Sequence, residues 1–143
     1  MKPRVLVVDD EPDMLELVEF KLKNQGFDVL RADCGLEGLR KARCESPEVI
    51  VLDLLLPDID GLSVCDILRA QPSTRHVPVV VFSVLDRPIT GSRGAGSPVF
   101  RWLNKRSDLN ALGDYVRAAL QERPERASRR ARTEDTRSHG SAG

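Results

Sequence analysis

Residues 47–61 read PEVIVLDLLLPDIDG, and the apolar run Val49 to Leu52, followed at once by Asp53, decides how the chain folds. Short unbroken runs of β-branched and aliphatic residues suit strands buried on both faces, as the inner strands of a parallel sheet are. Asp53 stands where such a strand ends. In open α/β sheets ligands bind in the crevice beyond the carboxyl ends of the strands, which makes Asp53 a candidate site residue. A cap of the following turn is the plainer alternative.

The same punctuation recurs on either side. Arg4 to Val8 (RVLVV) runs into Asp9 and Asp10, Val79 to Phe82 runs into Ser83, and Val99 to Leu103 (VFRWL) is followed by Lys105. Phe27 to Ala32 alternates like a further strand. Between these lie helical patterns. Pro12, flanked by Glu11 and Asp13, suits a helix start, and Met14, Leu15, Leu17, Val18 and Leu22 form its stripe up to a glycine cap at Gly26. Leu36, Leu39 and Ala42 continue helically as far as Ser46-Pro47. Gly61 to Ala70 carries Leu62, Val64, Cys65, Ile67 and Leu68, and Asp108 to Leu120 carries Leu109, Leu112, Tyr115, Val116 and Leu120. Asp86 to Ser97 departs from the pattern. It holds Pro88, Gly91, Gly94 and Gly96, and glycine costs about 1 kcal/mol against alanine at a helical position, so a mobile segment is expected in place of a regular helix.

Strands alternating with helices predict an α/β domain with a doubly wound, five-stranded parallel sheet over residues 2–121. The chain of 143 residues has room for one such core. Residues 122–143 are rich in Arg, Ser, Glu and Gly and nearly without apolar side chains, which predicts a disordered tail. Twenty-two basic residues balance 22 acidic ones, so no global field calls for nucleic acid or an anionic membrane. No apolar run reaches the roughly 18 residues of a membrane span, and Asp9, Asp10 and Glu11 interrupt the first apolar segment, so a cytoplasmic location is expected. Cys34, Cys44 and Cys65 fit neither a zinc site nor a disulfide framework and read as reduced, buried residues.

Five strand-end features in register carry a resemblance. VVDDEP resembles the acidic pair after the first strand of two-component response regulator receiver domains, and DLLLPDIDG, Asp53 to Gly61, resembles their D-x-x-x-P-x-x-D/N-G signature. Ser83 holds the family's hydroxyl position, Trp102 lies 19 residues beyond it and Lys105 lies 22 beyond it. The resemblance covers about residues 2–121 and implies a CheY-like, flavodoxin-like sheet of order 2-1-3-4-5. It further implies that Asp53 accepts a phosphoryl group from a sensor histidine kinase or phosphotransfer protein. Ser83, with the Val84 amide, and Lys105 would stabilise that group, and Ser83 and Trp102 would form the switch. The three carboxylates repel one another unless a hard cation sits among them, which points to Mg²⁺ held by Asp10, Asp53 and the Leu55 carbonyl, with Asp9 acting through water. A downstream protein partner is implied, with a homodimer as a further arrangement, and neither membrane nor direct nucleic-acid binding.

Two departures accompany the match. Arg106 replaces the proline that usually follows the lysine, so that peptide bond is expected to be trans. The glycine-rich stretch stands where the family has its fourth helix. The leading expectation is a stand-alone phosphorylatable receiver and no enzyme, the alternative a pseudo-receiver scaffold that signals without phosphate. A phosphatase of the haloacid dehalogenase type would need a second Asp two residues after the nucleophile, where Leu55 stands.

Overall fold

The computed structural model describes residues 2–85 and 99–122. Its strands are β1 (Arg4–Val8), β2 (Asp28–Ala32), β3 (Val49–Leu52), β4 (Val79–Ser83) and β5 (Val99–Asn104), and its helices are α1 (Pro12–Asn24), α2 (Gly35–Glu45), α3 (Gly61–Ala70) and α4 (Leu112–Gln121). All strand pairs are parallel, in the order β2-β1-β3-β4-β5. The doubly wound expectation holds.

Alternation along the inner strands explains why they are apolar throughout. Val5, Val7, Val49, Val51, Val80 and Phe82 face one way, onto Leu15, Val18 and Leu22 of α1 and Leu112, Val116 and Leu120 of α4. Leu6, Val8, Ile50, Leu52, Val79 and Val81 face the other way, onto Ala42 of α2 and Val64, Cys65 and Leu68 of α3. Each inner strand therefore feeds two cores, and polar side chains stand only at its ends, as Arg4 of β1 and Ser83 of β4 do.

Local chemistry sets the ends of the helices. Pro12 opens α1, and Gly26, at φ +95, closes it while the Gly26 and Phe27 amides donate to the Lys23 and Leu22 carbonyls. Asp60 caps α3 by accepting from the Leu62 amide at 3.3 Å. Gly61 follows it because a Cβ there would lie 2.8 Å from the Asp53 carbonyl and 2.5 Å from the Leu54 Cα. Asp60 and Gly61 are thus the seat of α3 on the backbone that follows β3.

Several expectations need correction. Leu17 is exposed, because Leu15, Val18 and Leu22 define the buried line of α1 and position 17 lies off it. Cys44 is exposed near the end of α2 and Cys34 only half-buried, so of the three free thiols Cys65 alone is a core residue. β5 runs one residue further than expected, to Asn104, and the last helix opens as a 3-10 turn at Leu109–Ala111. The glycine-rich segment at 86–97 and the tail from residue 123 lie outside the described residues.

Candidate phosphoacceptor site

The chain passes from β1 outward to β2 and then crosses back to β3, so the sheet order reverses between β1 and β3. Their carboxyl ends open at that switch point, where a doubly wound sheet leaves a crevice. Val8 pairs with Leu52, which sets Asp9 beside Asp53, and each is tied to its neighbour strand by its amide: Asp53 donates to the Val8 carbonyl and Asp9 to the Ala32 carbonyl, both at 3.0 Å. Leu52 is 0% exposed and Asp53 only 3%. Asp10 is exposed beside them. Carboxylate oxygens of Asp9, Asp10 and Asp53 all lie within 4.8 Å of one another.

Lys105 reaches into this group from the far side of β4. Its Nζ lies 2.7 Å from Asp9 Oδ2, 2.8 Å from Asp53 Oδ2 and 2.8 Å from Glu11 Oε1. The turn that carries it is tightly bonded. The Lys105 amide donates to the Ser83 carbonyl at 3.0 Å, Asn104 donates to Asp108 Oδ2 at 2.8 Å, and the Arg106 amide donates to Asn104 Oδ1 at 2.7 Å. Described peptide bonds are all trans, as expected at Lys105-Arg106. The lysine therefore reaches Asp53 without the proline.

The charges follow from this packing. Burial pushes the Asp9 carboxyl above its ordinary value, and hydrogen bonds from Lys105 and the Glu11 amide only partly offset that. Burial disfavours the Lys105 ammonium too, but hydrogen bonds to Asp53, Asp9 and Glu11 outweigh it and hold the group above the usual lysine range. One ammonium pairs with three carboxylates, and a fourth, Asp10, stands beside Asp9 and Asp53. The donor set, oxygen only and short of positive charge, fits a hard divalent cation.

Sequence reading placed Asp9, Asp10, Asp53 and Lys105 in one site, and the structure brings all four together. Ser83 is fully buried at the end of β4, beside the Lys105 backbone, and its Oγ accepts from the Leu85 amide at 3.3 Å. The Leu55 amide donates to Asp53 Oδ1 at 3.2 Å. Leu55, Val84 and Leu85 are exposed. Trp102 pairs with Val81 inside the sheet and packs, half-buried, on the α2/α3 face. Glu11 is a partner of Lys105 that the sequence does not reveal, since beside Pro12 it has the pattern of an ordinary helix-start charge.

The profile of the response regulator receiver domain matches residues 5–117. The chain belongs to that family. Among curated proteins, this receiver is 36% identical over 118 residues to the DNA-binding dual master transcriptional regulator RpaA of Synechocystis, covering 82% of this chain and 49% of the other. It is 40% identical over 121 residues to the transcriptional regulatory protein PrrA of Mycobacterium tuberculosis, covering 85% and 51%. The chain thus spans about half the length of these relatives. Among solved structures the receiver domain of the Francisella response regulator 1452 superposes with a TM-score of 0.75 at 30% identity, covering 84% of this chain and 98% of that one. No helix among the described residues is long and apolar enough to cross a membrane.

Proposed function

We propose that this receiver is a phosphoacceptor of a two-component relay, with Asp53 as the residue that takes the phosphoryl group. The observation that carries this reading is the convergence of Lys105 and two further carboxylates on Asp53. A lone strand-end cap would need neither. Asp10, Asp53 and the Leu55 carbonyl would hold Mg²⁺, with Asp9 acting through water, and the ion would neutralise charge on the transferring group.

The chain's own residues supply the rest. Asp53 presents one oxygen to the Leu55 amide and the other to Lys105, which fixes the carboxylate before a donor arrives. As a phosphoryl group forms on Asp53, the ammonium exchanges carboxylate oxygens for phosphoryl oxygens and so balances the new charge. Ser83 Oγ, released from the Leu85 amide, and the Val84 amide would take another oxygen. The phosphodonor is a sensor histidine kinase or phosphotransfer protein, and phosphorylation changes the affinity for a downstream protein, through Ser83 and Trp102. Exposing the chain to a small phosphodonor with and without Mg²⁺ tests this. Metal-dependent incorporation of one phosphoryl group is expected, and none in either condition would leave the pseudo-receiver scaffold as the better reading.

A further inference from the structure

Asp58 lies outside the site, in the β3–α3 loop, yet its carboxylate caps a different helix. Oδ1 accepts from the Gly35 amide and Oδ2 from the Leu36 amide, both at 2.8 Å. The residue at the start of α2, Cys34, makes no side-chain cap of its own. Beside this clamp a Cβ on Gly35 would fall 2.1 Å from Ile59 Cγ2, so the loop is also pressed onto the first turn of α2. The amides hold the Asp58 carboxyl below its ordinary range.

These contacts close a ring. Asp9 hangs from the Ala32 carbonyl, Ala32 leads through residues 33 and 34 into α2, α2 is gripped by Asp58, and the loop of Asp58 leads back through Leu55 to Asp53. The acidic pair and the phosphoacceptor loop come from separate strands, and this ring joins them at their outer ends. We propose that Asp58 is a positioning residue that fixes the Asp53–Leu55 segment relative to Asp9 and Asp10, so that the carboxylates and the Leu55 carbonyl are set for a divalent cation before it binds. This rests on the reading of the site as a Mg²⁺ site.

The test compares the wild-type chain with Asp58→Ala, Asp58→Asn and Ala42→Gly. Ala42 is buried on α2 away from the clamp, so its variant supplies a comparable loss of stability. Asp58→Ala should weaken Mg²⁺ binding about tenfold, the low end of the effect of residues that orient ligands from behind. Asp58→Asn, which keeps one oxygen for one of the two amides, should recover part of the affinity, and Ala42→Gly should leave it unchanged. Metal-free amide exchange at Leu55 should quicken in Asp58→Ala and not in Ala42→Gly. Wild-type affinity or unchanged Leu55 exchange in Asp58→Ala would overturn the role. So would equal weakening in Ala42→Gly, which would mean general loosening. A wild-type chain that binds no Mg²⁺ would defeat the metal reading of the site, while the Leu55 exchange would still decide whether Asp58 positions the loop.

Discussion

Leu52 and Asp53 are adjacent, both buried, and belong to opposite regimes. Leu52 closes the body of the sheet, where every inward side chain is apolar and removal from water stabilises the fold. Asp53 opens the rim, where burial raises the Asp9 carboxyl and Lys105 must serve Asp9, Asp53 and Glu11 together. The body holds the fold; the rim is tolerated by it and stays in need of positive charge. Stability and function therefore separate within one residue of β3.

The sharpest way to break that contrast is to substitute both positions. Leu52→Ala should cost about 3 kcal/mol from lost transfer energy and the cavity left behind. Metal-free Asp53→Asn should be no less stable than wild type, because removing a charge from a group with excess carboxylate relieves repulsion. Denaturant unfolding of the two variants decides it, and a loss of more than about 1 kcal/mol in Asp53→Asn would show that the Lys105 pair outweighs the repulsion.

Next in size is Lys105→Ala, which leaves Asp9 and Asp53 buried without a cation. Its metal-free stability should fall by about 2 kcal/mol, moderated because the crevice opens to water. Saturating Mg²⁺ should restore more stability to this variant than it adds to wild type. Equal Mg²⁺ effects on the two melting curves would mean that lysine and cation do not share the same carboxylates.

The contrast also explains what could be read in the sequence. The inner strands were legible because a strand feeding two cores carries polar side chains only at its ends, and its end is then marked by the first charge, as at Asp9 and Asp53. Lys105 was legible through the resemblance to receiver domains, which expects a lysine 22 residues after the hydroxyl at Ser83. Glu11 and Asp58 were not, because their partners lie 94 and 23 residues away and nothing local distinguishes a carboxylate that reaches across the fold from one that faces water. Leu17 was misplaced for a related reason: an apolar residue beside a stripe reads as part of it until the packing shows which line of the helix is covered.

A smaller effect concerns Leu55 and Leu85, whose amides donate to the side chains of the site residues two positions earlier, Asp53 and Ser83. Leu55 and Leu85 are 49% and 45% exposed and cannot orient a water molecule by hydrogen bonding. Leu55→Asn with Leu85→Glu should shorten the phosphorylated state about tenfold, a change of about 1.4 kcal/mol in barrier. Decay of the phosphorylated form after removal of the donor measures it, and equal lifetimes would show that these side chains do not control water entry.

The smallest effect is the pH dependence of the α2 clamp. Asp58 is held below the ordinary carboxyl value of 3.8 by the Leu36 amide first and the Gly35 amide with it. A carboxyl lowered in the folded state contributes stability that is present above the unfolded value and lost as pH falls through the folded one. The melting-temperature gap between wild type and Asp58→Asn should therefore be full near neutral pH and shrink below 3.8. A gap independent of pH would mean that the charge of Asp58 contributes nothing to the cap.

Intact mass after incubation with acetyl phosphate and Mg²⁺ tests most directly whether the rim at Asp53 is a phosphoacceptor site. Wild type should gain a single phosphoryl group and Asp53→Asn none, since the amide is neither nucleophile nor anionic ligand. A phosphoryl group on the Asn variant, or none on wild type, would contradict the account.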